Sequence, residues 1–173
     1  MEIKFGSIGK NCHISNKASF YGAEHIFIGD NTRIDDFVII SAEEPVIIGS
    51  YVHIAPFCGL YGKYGIEMQD FSGLSSGVAL YSNSDDYSGN SLTNPTTPEN
   101  LKITKKGKIV LKRHVIIGVN SVIMPNVIIG EGSAVGAFSF VKKDIPEHVI
   151  AAGIPAKIIS KRSLKIFELE KKL

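Results

Sequence analysis

The chain has 173 residues, 44% of them hydrophobic, and a formal net charge of +2 at pH 7. This length predicts a single domain with enough apolar side chains for a core, and the near-balanced charge gives no reason to expect nucleic acid or an anionic membrane as a partner. No apolar run is long enough to span a bilayer, and the first residues lack the apolar stretch of a signal peptide. We therefore expect a cytoplasmic protein.

From Ile8 onward, large apolar residues recur every six positions, and Phe20 is the one member of the series that is not aliphatic. The series is Ile8, Ile14, Phe20, Ile28, Ile34, Ile40, Ile48, Ile54, Leu60, Met68, Leu74, Leu80, Leu111, Ile117, Ile123, Ile129, Val135 and Val141. A small or β-branched residue usually stands two positions earlier. A six-residue spacing drifts off a 3.6-residue helical stripe, so the pattern predicts short strands. Three strands would form each turn of a prism, and each strand would turn one large and one small side chain inward.

The two cysteines, Cys12 and Cys58, fall on the small inward positions and lack metal-binding spacing. We expect both to be buried core residues without a chemical role.

All irregularities of the repeat follow the third strand of a turn. Three early turns carry two extra residues there, and the interval from Leu80 to Leu111 carries a long polar excursion, stiffened by Pro95 and Pro98. We therefore predict N-terminal coils at 1–81, a projecting loop at 82–110, C-terminal coils at 111–146, and a tail with a short amphipathic helix at 147–173. We expect this helix to cap the end of the prism, and long loops of this kind are usually functional.

The repeats and the segment "HVIIGVNSVIMPNVIIGEGSAVGAFSFVKKDIPEHVIAAGIPAKII" resemble the hexapeptide-repeat acyltransferases, in particular those that acylate sugars. This resemblance implies an all-β, left-handed parallel β-helix that assembles as a homotrimer. It also implies active sites between subunits, acetyl-CoA as acyl donor, a sugar or nucleotide sugar as acceptor, and no metal. By the same resemblance, the acetyl-CoA groove would be lined by Val119, Ala137, Lys142, Lys143 and Lys157, since lysines suit its phosphates as point charges.

The candidate catalytic residues depart from the pattern of galactoside-type members of this family, which place a histidine early in the loop. Here no histidine occurs between Val78 and Arg113, and the corresponding stretch contains Ser84, Asp85 and Asp86. A hydroxyl acceptor needs a general base, whereas a neutral amine already carries its lone pair. The acid pair therefore favours an amino-sugar acceptor oriented by a carboxylate, although both acids are also common turn residues.

Other polar residues complete the candidate site. Ser84, Tyr81 and Asn94 are assigned to the substrate, and His114 is the histidine best placed to act as a base. His13, Arg33 and His53 should form an outward column, where a solvated face is the simplest interpretation.

Three alternatives to an N-acyltransferase stay open. The first is an O-acetyltransferase that uses His114 or an aspartate as base. The second is a trimeric binding protein without activity. The third is a carbonic-anhydrase-like enzyme with three histidines on zinc, whose layout these histidines do not match.

Overall fold

A computed structural model describes residues 3–173 and shows a parallel β-helix. Its strands are β1 Ser7–Ile8, β2 His13–Ile14, β3 Ser19–Tyr21, β4 Ile26–Ile28, β5 Arg33–Ile34, β6 Ile39–Ala42, β7 Val46–Ile48, β8 His53–Ile54, β9 Gly59–Gly62, β10 Ile66–Met68, β11 Gly73–Leu74, β12 Ala79–Tyr81, β13 Asn83–Asp85, β14 Thr104–Lys106, β15 Ile109–Leu111, β16 Ile116–Ile117, β17 Val122–Ile123, β18 Ile128–Ile129, β19 Ala134–Val135, β20 Phe140–Val141, β21 Val149–Gly153 and β22 Ala156–Lys161. One α-helix, α1, spans Lys165–Glu170, and short 3-10 helices span Ala23–His25 and Glu99–Leu101.

The strands form the three faces of the predicted prism. The first sheet has the order β1-β4-β7-β10-β15-β18, the second β2-β5-β8-β11-β16-β19-β21-β22, and the third β20-β17-β12-β9-β6-β3. Neighbouring strands within these sheets run parallel, except β21 and β22, which are antiparallel. Met68 pairs with Leu111, so the coils before and after the long loop stack in the same register as the others.

The predicted inward positions form the core. All large members of the six-residue series from Ile28 to Val141 are buried. Ile8 is 52% exposed, because β1 to β3 are the edge strands of the three sheets and no coil in residues 3–173 covers them. The expectation of two buried cysteines is confirmed for Cys58, whereas Cys12, in the exposed first coil, is only half-buried.

Several polar inward residues donate their hydroxyl groups to the backbone of the next coil, although the buried Ser72 hydroxyl has no partner among the described residues. Thr32 Oγ1 donates to the carbonyl of Gly49 at 2.8 Å, and Ser121 Oγ donates to the carbonyl of Gly136 at 3.0 Å. The six-residue series missed a second buried position on the first sheet, occupied by Ile26, Val46, Ile66 and Ile109. These residues follow the two-residue insertions or the long loop, where the hexad count restarts.

The projecting loop is shorter than predicted and has structure of its own. It leaves the prism after β12 and returns before β15, because Ile109 already pairs with Ile66 of the first sheet. The loop is therefore 82–108 and not 82–110. Its two ends form an antiparallel ribbon, β13 with β14, in which Ser84 pairs with Lys105.

The tail differs from its prediction. Residues 149–161 form the β21–β22 hairpin, which the sequence did not reveal, and β22 is the last strand of the second sheet. The helix α1 does not cap the end of the prism. It lies on a flank, where the Phe167 ring meets those of His114 and His148 with centroids 5.0 and 5.4 Å apart. Among residues 3–173, no helix has the length and apolar character required to cross a membrane.

Candidate active site

A cavity of about 970 Å³ lies between the outer face of the third sheet and the projecting loop. The sheet contributes Tyr81, Val122 and Phe140 to its wall, and the loop contributes Asp85 and Asn94. The β12 strand ends at this corner of the prism, so the polar loop folds back over an apolar strand surface. The cavity thus joins an apolar wall to a polar one, as small-molecule sites usually do.

The two adjacent acids of the loop have different environments. Asp85 lines the cavity, and its Oδ2 accepts the backbone N–H of Asn94 at 3.1 Å. Asp86 is not part of the cavity wall. It accepts the backbone N–H and the hydroxyl of Ser88 at 2.9 and 2.8 Å, and these hydrogen bonds hold the pKa of Asp86 below its ordinary value. Asp86 therefore stabilises a turn, while Asp85 faces the cavity.

The three residues assigned to the substrate all line this cavity. Ser84 precedes Asp85 on β13, and its hydroxyl donates to the Asp85 carbonyl at 3.3 Å. Tyr81 stacks on Tyr61 with ring centroids 4.7 Å apart. Asn94 has a positive φ of 68°, and its side-chain oxygen accepts the backbone N–H of Thr96 at 3.0 Å. The stacked tyrosines offer a flat aromatic surface, and the capped turn at Asn94 fixes the loop opposite it.

Several charged residues of the cavity were not predicted. Glu43 and Lys63 come from the two-residue insertions at the corner of the loop, and Glu99, Lys102 and Lys105 come from the loop itself. Lys102 Nζ lies 2.7 Å from Glu99 Oε1, so these two charges neutralise each other. The sequence did contain a signal for Glu43 and Lys63. Their two-residue insertions fall at the corner from which the loop projects, so these residues had to lie beside the loop.

His114 lies outside the cavity, at the corner between the first and second sheets. Its Nε2 is 2.8 Å from Oε2 of Glu170, and its ring stacks on Phe71 with centroids 5.0 Å apart. Its side chain is 10% exposed. Burial, together with the positive charge of Arg113, lowers the pKa of His114. The structure thus packs His114 against residues of its own chain and separates it from Asp85.

The outward column on the second sheet is present. His13 pairs with Arg33, and Arg33 pairs with His53, on neighbouring strands. The buried carboxylate of Asp35 joins two of them: its Oδ2 is 2.7 Å from His53 Nε2, and its Oδ1 accepts from Arg33 Nε at 2.6 Å. The hydrogen bonds from His53 and Arg33 outweigh the effect of burial and lower the pKa of Asp35.

The residues assigned to acetyl-CoA are spread over a corner of the prism, the hairpin strand β22 and the edge of the cavity. Val119 and Ala137 are stacked at the corner between the second and third sheets, and Lys157 belongs to β22. The coils approach closely there, since a Cβ on Gly118 would lie 2.5 Å from the Ala137 nitrogen. Lys142 lines the cavity, and the adjacent Lys143 is exposed.

This corner has unused hydrogen-bond donors. Within the described part of the chain, the backbone N–H groups of Val119 and Ala137 donate no hydrogen bond. They are free to pair with amide carbonyls of a bound molecule, which an extended pantetheine chain would offer.

Side-chain grouping gives no indication of a metal site. Across residues 3–173, no three His, Cys, Asp or Glu side chains are arranged so that they could hold an ion.

Comparison with known proteins agrees with the fold. The family model "Bacterial transferase hexapeptide (six repeats)" matches residues 108–143. A dTDP-4-amino-4,6-dideoxy-D-glucose acyltransferase from Escherichia coli is 46% identical over 170 residues, which are 98% of this chain and 88% of the relative. A galactoside O-acetyltransferase from Escherichia coli K12 is 30% identical over 90% of this chain and 63% of its own length.

A solved structure shows the same architecture. AntD, an N-acyltransferase from Bacillus cereus in complex with dTDP and 3-hydroxybutyryl-CoA, superposes with a TM-score of 0.95 at 52% identity, covering 97% of this chain and 89% of AntD. On the sequence relationship, the coiled architecture and the repeat itself, this chain belongs to the hexapeptide-repeat acyltransferase family.

Proposed function

We propose that this protein transfers an acyl group, acetyl being the simplest, from acyl-CoA to the amino group of a dTDP-linked amino sugar. The observation that carries this proposal is the near full-length similarity to the E. coli acyltransferase of dTDP-4-amino-4,6-dideoxy-D-glucose. The similarity to AntD, an N-acyltransferase crystallised with dTDP and 3-hydroxybutyryl-CoA, gives further support.

The cavity supports an amine acceptor. Its lining contains Asp85 and no histidine, and the one histidine considered as a base, His114, is buried elsewhere against Glu170. A carboxylate can hold an ammonium group in place until it loses a proton, after which the free amine is a competent nucleophile. We assign this orienting role to Asp85 and give no catalytic role to Asp86 or His114.

The transfer of the acyl group from the thioester to the amine does not require a histidine base. The amine lone pair forms a bond to the thioester carbonyl carbon, and the carbonyl π electrons move to oxygen. An oxygen lone pair then re-forms the carbonyl while the carbon–sulfur bond breaks with its electron pair leaving on sulfur, and the nitrogen loses its extra proton to the thiolate or to water. In this step Asp85 keeps the amine close to the carbonyl and compensates its charge before deprotonation.

The proposed donor site fits acyl-CoA. Val119 and Ala137 present unused N–H groups to the pantetheine amides, and Lys142, Lys143 and Lys157 present exposed ammonium groups to the phosphates. Lys142 also faces the cavity, so the donor groove and the acceptor cavity meet at that residue. Substrate binding is assigned to Ser84, Tyr81 and Asn94, the cavity residues around Asp85.

A homotrimer is part of this proposal. The cavity is bounded by one sheet face and one loop, which leaves a side that a second copy of the chain could close. The outer surface carries a stacked aromatic pair, Phe37 and Phe57, that is 51% and 65% exposed and is typical of subunit contacts. Because acyl-CoA is an intracellular metabolite, the proposal includes a cytoplasmic location.

Transfer to a sugar hydroxyl is the second candidate function, since a galactoside O-acetyltransferase is among the relatives. Two acceptors separate the candidates: dTDP-4-amino-4,6-dideoxyglucose and its 4-hydroxy counterpart, each with acetyl-CoA. We expect CoA release and an amide product, identified by mass spectrometry, with the amino sugar alone. An acetyl ester formed from the hydroxy sugar would overturn the proposal in favour of O-acylation.

A further inference from the structure

The end of the chain, residues 162–170, forms a clamp that we call the tail latch. It begins directly after β22 and crosses the corner between the first and second sheets. Arg162 Nη1 donates to three backbone carbonyls of that corner, those of His114, Gly132 and Ser133, at 2.9, 3.1 and 3.1 Å. These carbonyls belong to two different coils, so the Arg162 guanidinium ties the start of the tail to both of them.

The far end of the latch is held by Glu170. One carboxylate oxygen is 2.8 Å from His114 Nε2, and the other pairs with the guanidinium of Arg113. The side chains of Glu170 and His114 are 18% and 10% exposed and that of Arg113 is 42% exposed, so the contact with His114 is the more sheltered of the two. Phe167 lies between these two attachments, with its ring edge-on to His114.

The segment that the latch anchors pairs with β21 but is otherwise largely exposed. In β22, Ala156 is half-buried and the five residues after it are exposed. The hairpin joins β22 to β21, from Val149 and Lys161 at its base to Gly153 and Ala156 at its tip. Among the described residues, the antiparallel edge strand β22 pairs with β21 and with no other strand. Its position therefore depends on β21 and on whatever holds the residues that follow it.

The tip of this hairpin reaches the proposed donor groove. Gly153 N–H donates to Ser139 Oγ at 3.1 Å, close to Ala137 in the chain. Lys157, opposite Ala152, stands one residue from the tip. The base of the same hairpin joins the latch, because Arg162 N–H donates to the His148 carbonyl at 2.8 Å.

We infer that the tail latch, through Glu170 and Arg162, positions β22 and Lys157 for binding of the acyl donor. This inference rests on the proposed function, because it requires that acyl-CoA binds beside the hairpin tip. Glu170 and Arg162 are positioning residues: they lie outside the cavity and act by keeping the hairpin in its binding-competent place. A hairpin that is in place for only a fraction of the time binds its ligand more weakly by that fraction.

The test uses the full chain with two latch variants, Glu170→Gln and Arg162→Lys, and one control, Glu168→Gln. Glu168 lies on the same helix but is exposed and makes no ion pair among the described residues. Steady-state kinetics with acetyl-CoA and the dTDP-amino sugar gives both KM values. Amide hydrogen exchange of residues 156–161, measured without ligand, reports how firmly β22 is held.

For both latch variants we expect β22 to exchange faster and KM for acetyl-CoA to rise roughly 3- to 10-fold, as for a site populated part of the time. KM for the acceptor and all values for Glu168→Gln should stay within about twofold of wild type. Unchanged exchange, an unchanged KM for acetyl-CoA, or an equal rise in both KM values would overturn the inference. If the wild-type chain fails to use acyl-CoA, the proposed function is overturned, and the exchange data still decide whether the latch holds β22.

Discussion

The carboxylate of Asp85 accepts the backbone N–H of Asn94 at 3.1 Å, across nine residues of the projecting loop. This bond fixes one oxygen of Asp85 and leaves the other free to meet a ligand in the cavity. It also closes the loop around the turn that Asp86 stabilises with Ser88. The two neighbouring acids therefore make a matched pair for mutagenesis, one facing the cavity and one serving the turn.

Replacing Asp85 by asparagine should lower kcat/KM for the amino sugar by on the order of 10²-fold or more, because the ammonium loses its carboxylate partner. Asparagine keeps an oxygen for the Asn94 N–H, so the loop should stay folded. KM for acetyl-CoA should change little. Asp86→Asn is the control and should retain most activity. A nearly wild-type Asp85→Asn enzyme, with an inactive His114→Ala enzyme, would contradict the assignment.

Replacing Lys157 by alanine should raise KM for acetyl-CoA more than it lowers kcat, because a phosphate contact stabilises ground and transition states alike. Lys161→Ala is a matched control on the same strand, since Lys161 is exposed at the base of the hairpin, away from its tip. Initial rates at varied acetyl-CoA separate the two parameters. Equal KM values for wild type and Lys157→Ala would remove Lys157 from the donor site.

Acidification should weaken the fold through His114. Burial lowers the pKa of His114, and the charges around it are Arg113, Arg162, Glu131 and Glu170. The folded state thus favours the neutral ring, and the unfolded chain binds a proton more readily below its ordinary pKa of about 6.5. This stabilisation is present above about pH 6.5 and is lost as the pH falls through the lower, folded-state pKa.

Urea unfolding at several pH values checks this dependence. Between about pH 7.5 and 5.5, the free energy of unfolding should fall more for wild type than for His114→Asn, which cannot titrate there. Parallel curves for the two proteins would show that His114 does not contribute to the pH dependence.

The thiol of Cys58 should be inert in the folded protein. Burial raises its pKa to about 11, and its side chain is 1% exposed. In a Cys12→Ser background, Cys58 is the sole thiol of the sequence. A thiol reagent at mildly alkaline pH should leave this variant unmodified until guanidinium chloride unfolds it. Rapid labelling of the native variant would place Cys58 at the surface.

The assembly can be measured without any ligand. Three copies of the 18.8 kDa chain should sediment together at micromolar concentration, as a closed ring with threefold symmetry. A sedimenting species of the mass of one chain would exclude a site that requires a neighbouring subunit.

The sequence alone determined the architecture because its signal is local and repeated. Each coil of the prism has room for one large and one small inward side chain per strand. The same pattern therefore recurs in every turn, for example at the equivalent positions Ile34, Ile54 and Leu74. The same repetition located the loop, since an insertion that preserves the register between Met68 and Leu111 must leave the prism entirely. The polar composition of the loop further indicated that it carries a site.

Tertiary structure decided the features that depend on contacts between distant segments. From the sequence, Asp85 and Asp86 were equivalent candidates. The fold distinguishes them, because Asp85 faces the cavity and Asp86 accepts hydrogen bonds from Ser88 in the following turn. It presented His114 as a candidate base, and the fold encloses that ring between Phe71 and Phe167 and bonds it to Glu170, 56 residues later. No local pattern encodes such a contact, because it forms only when the tail folds back across coils that are already stacked.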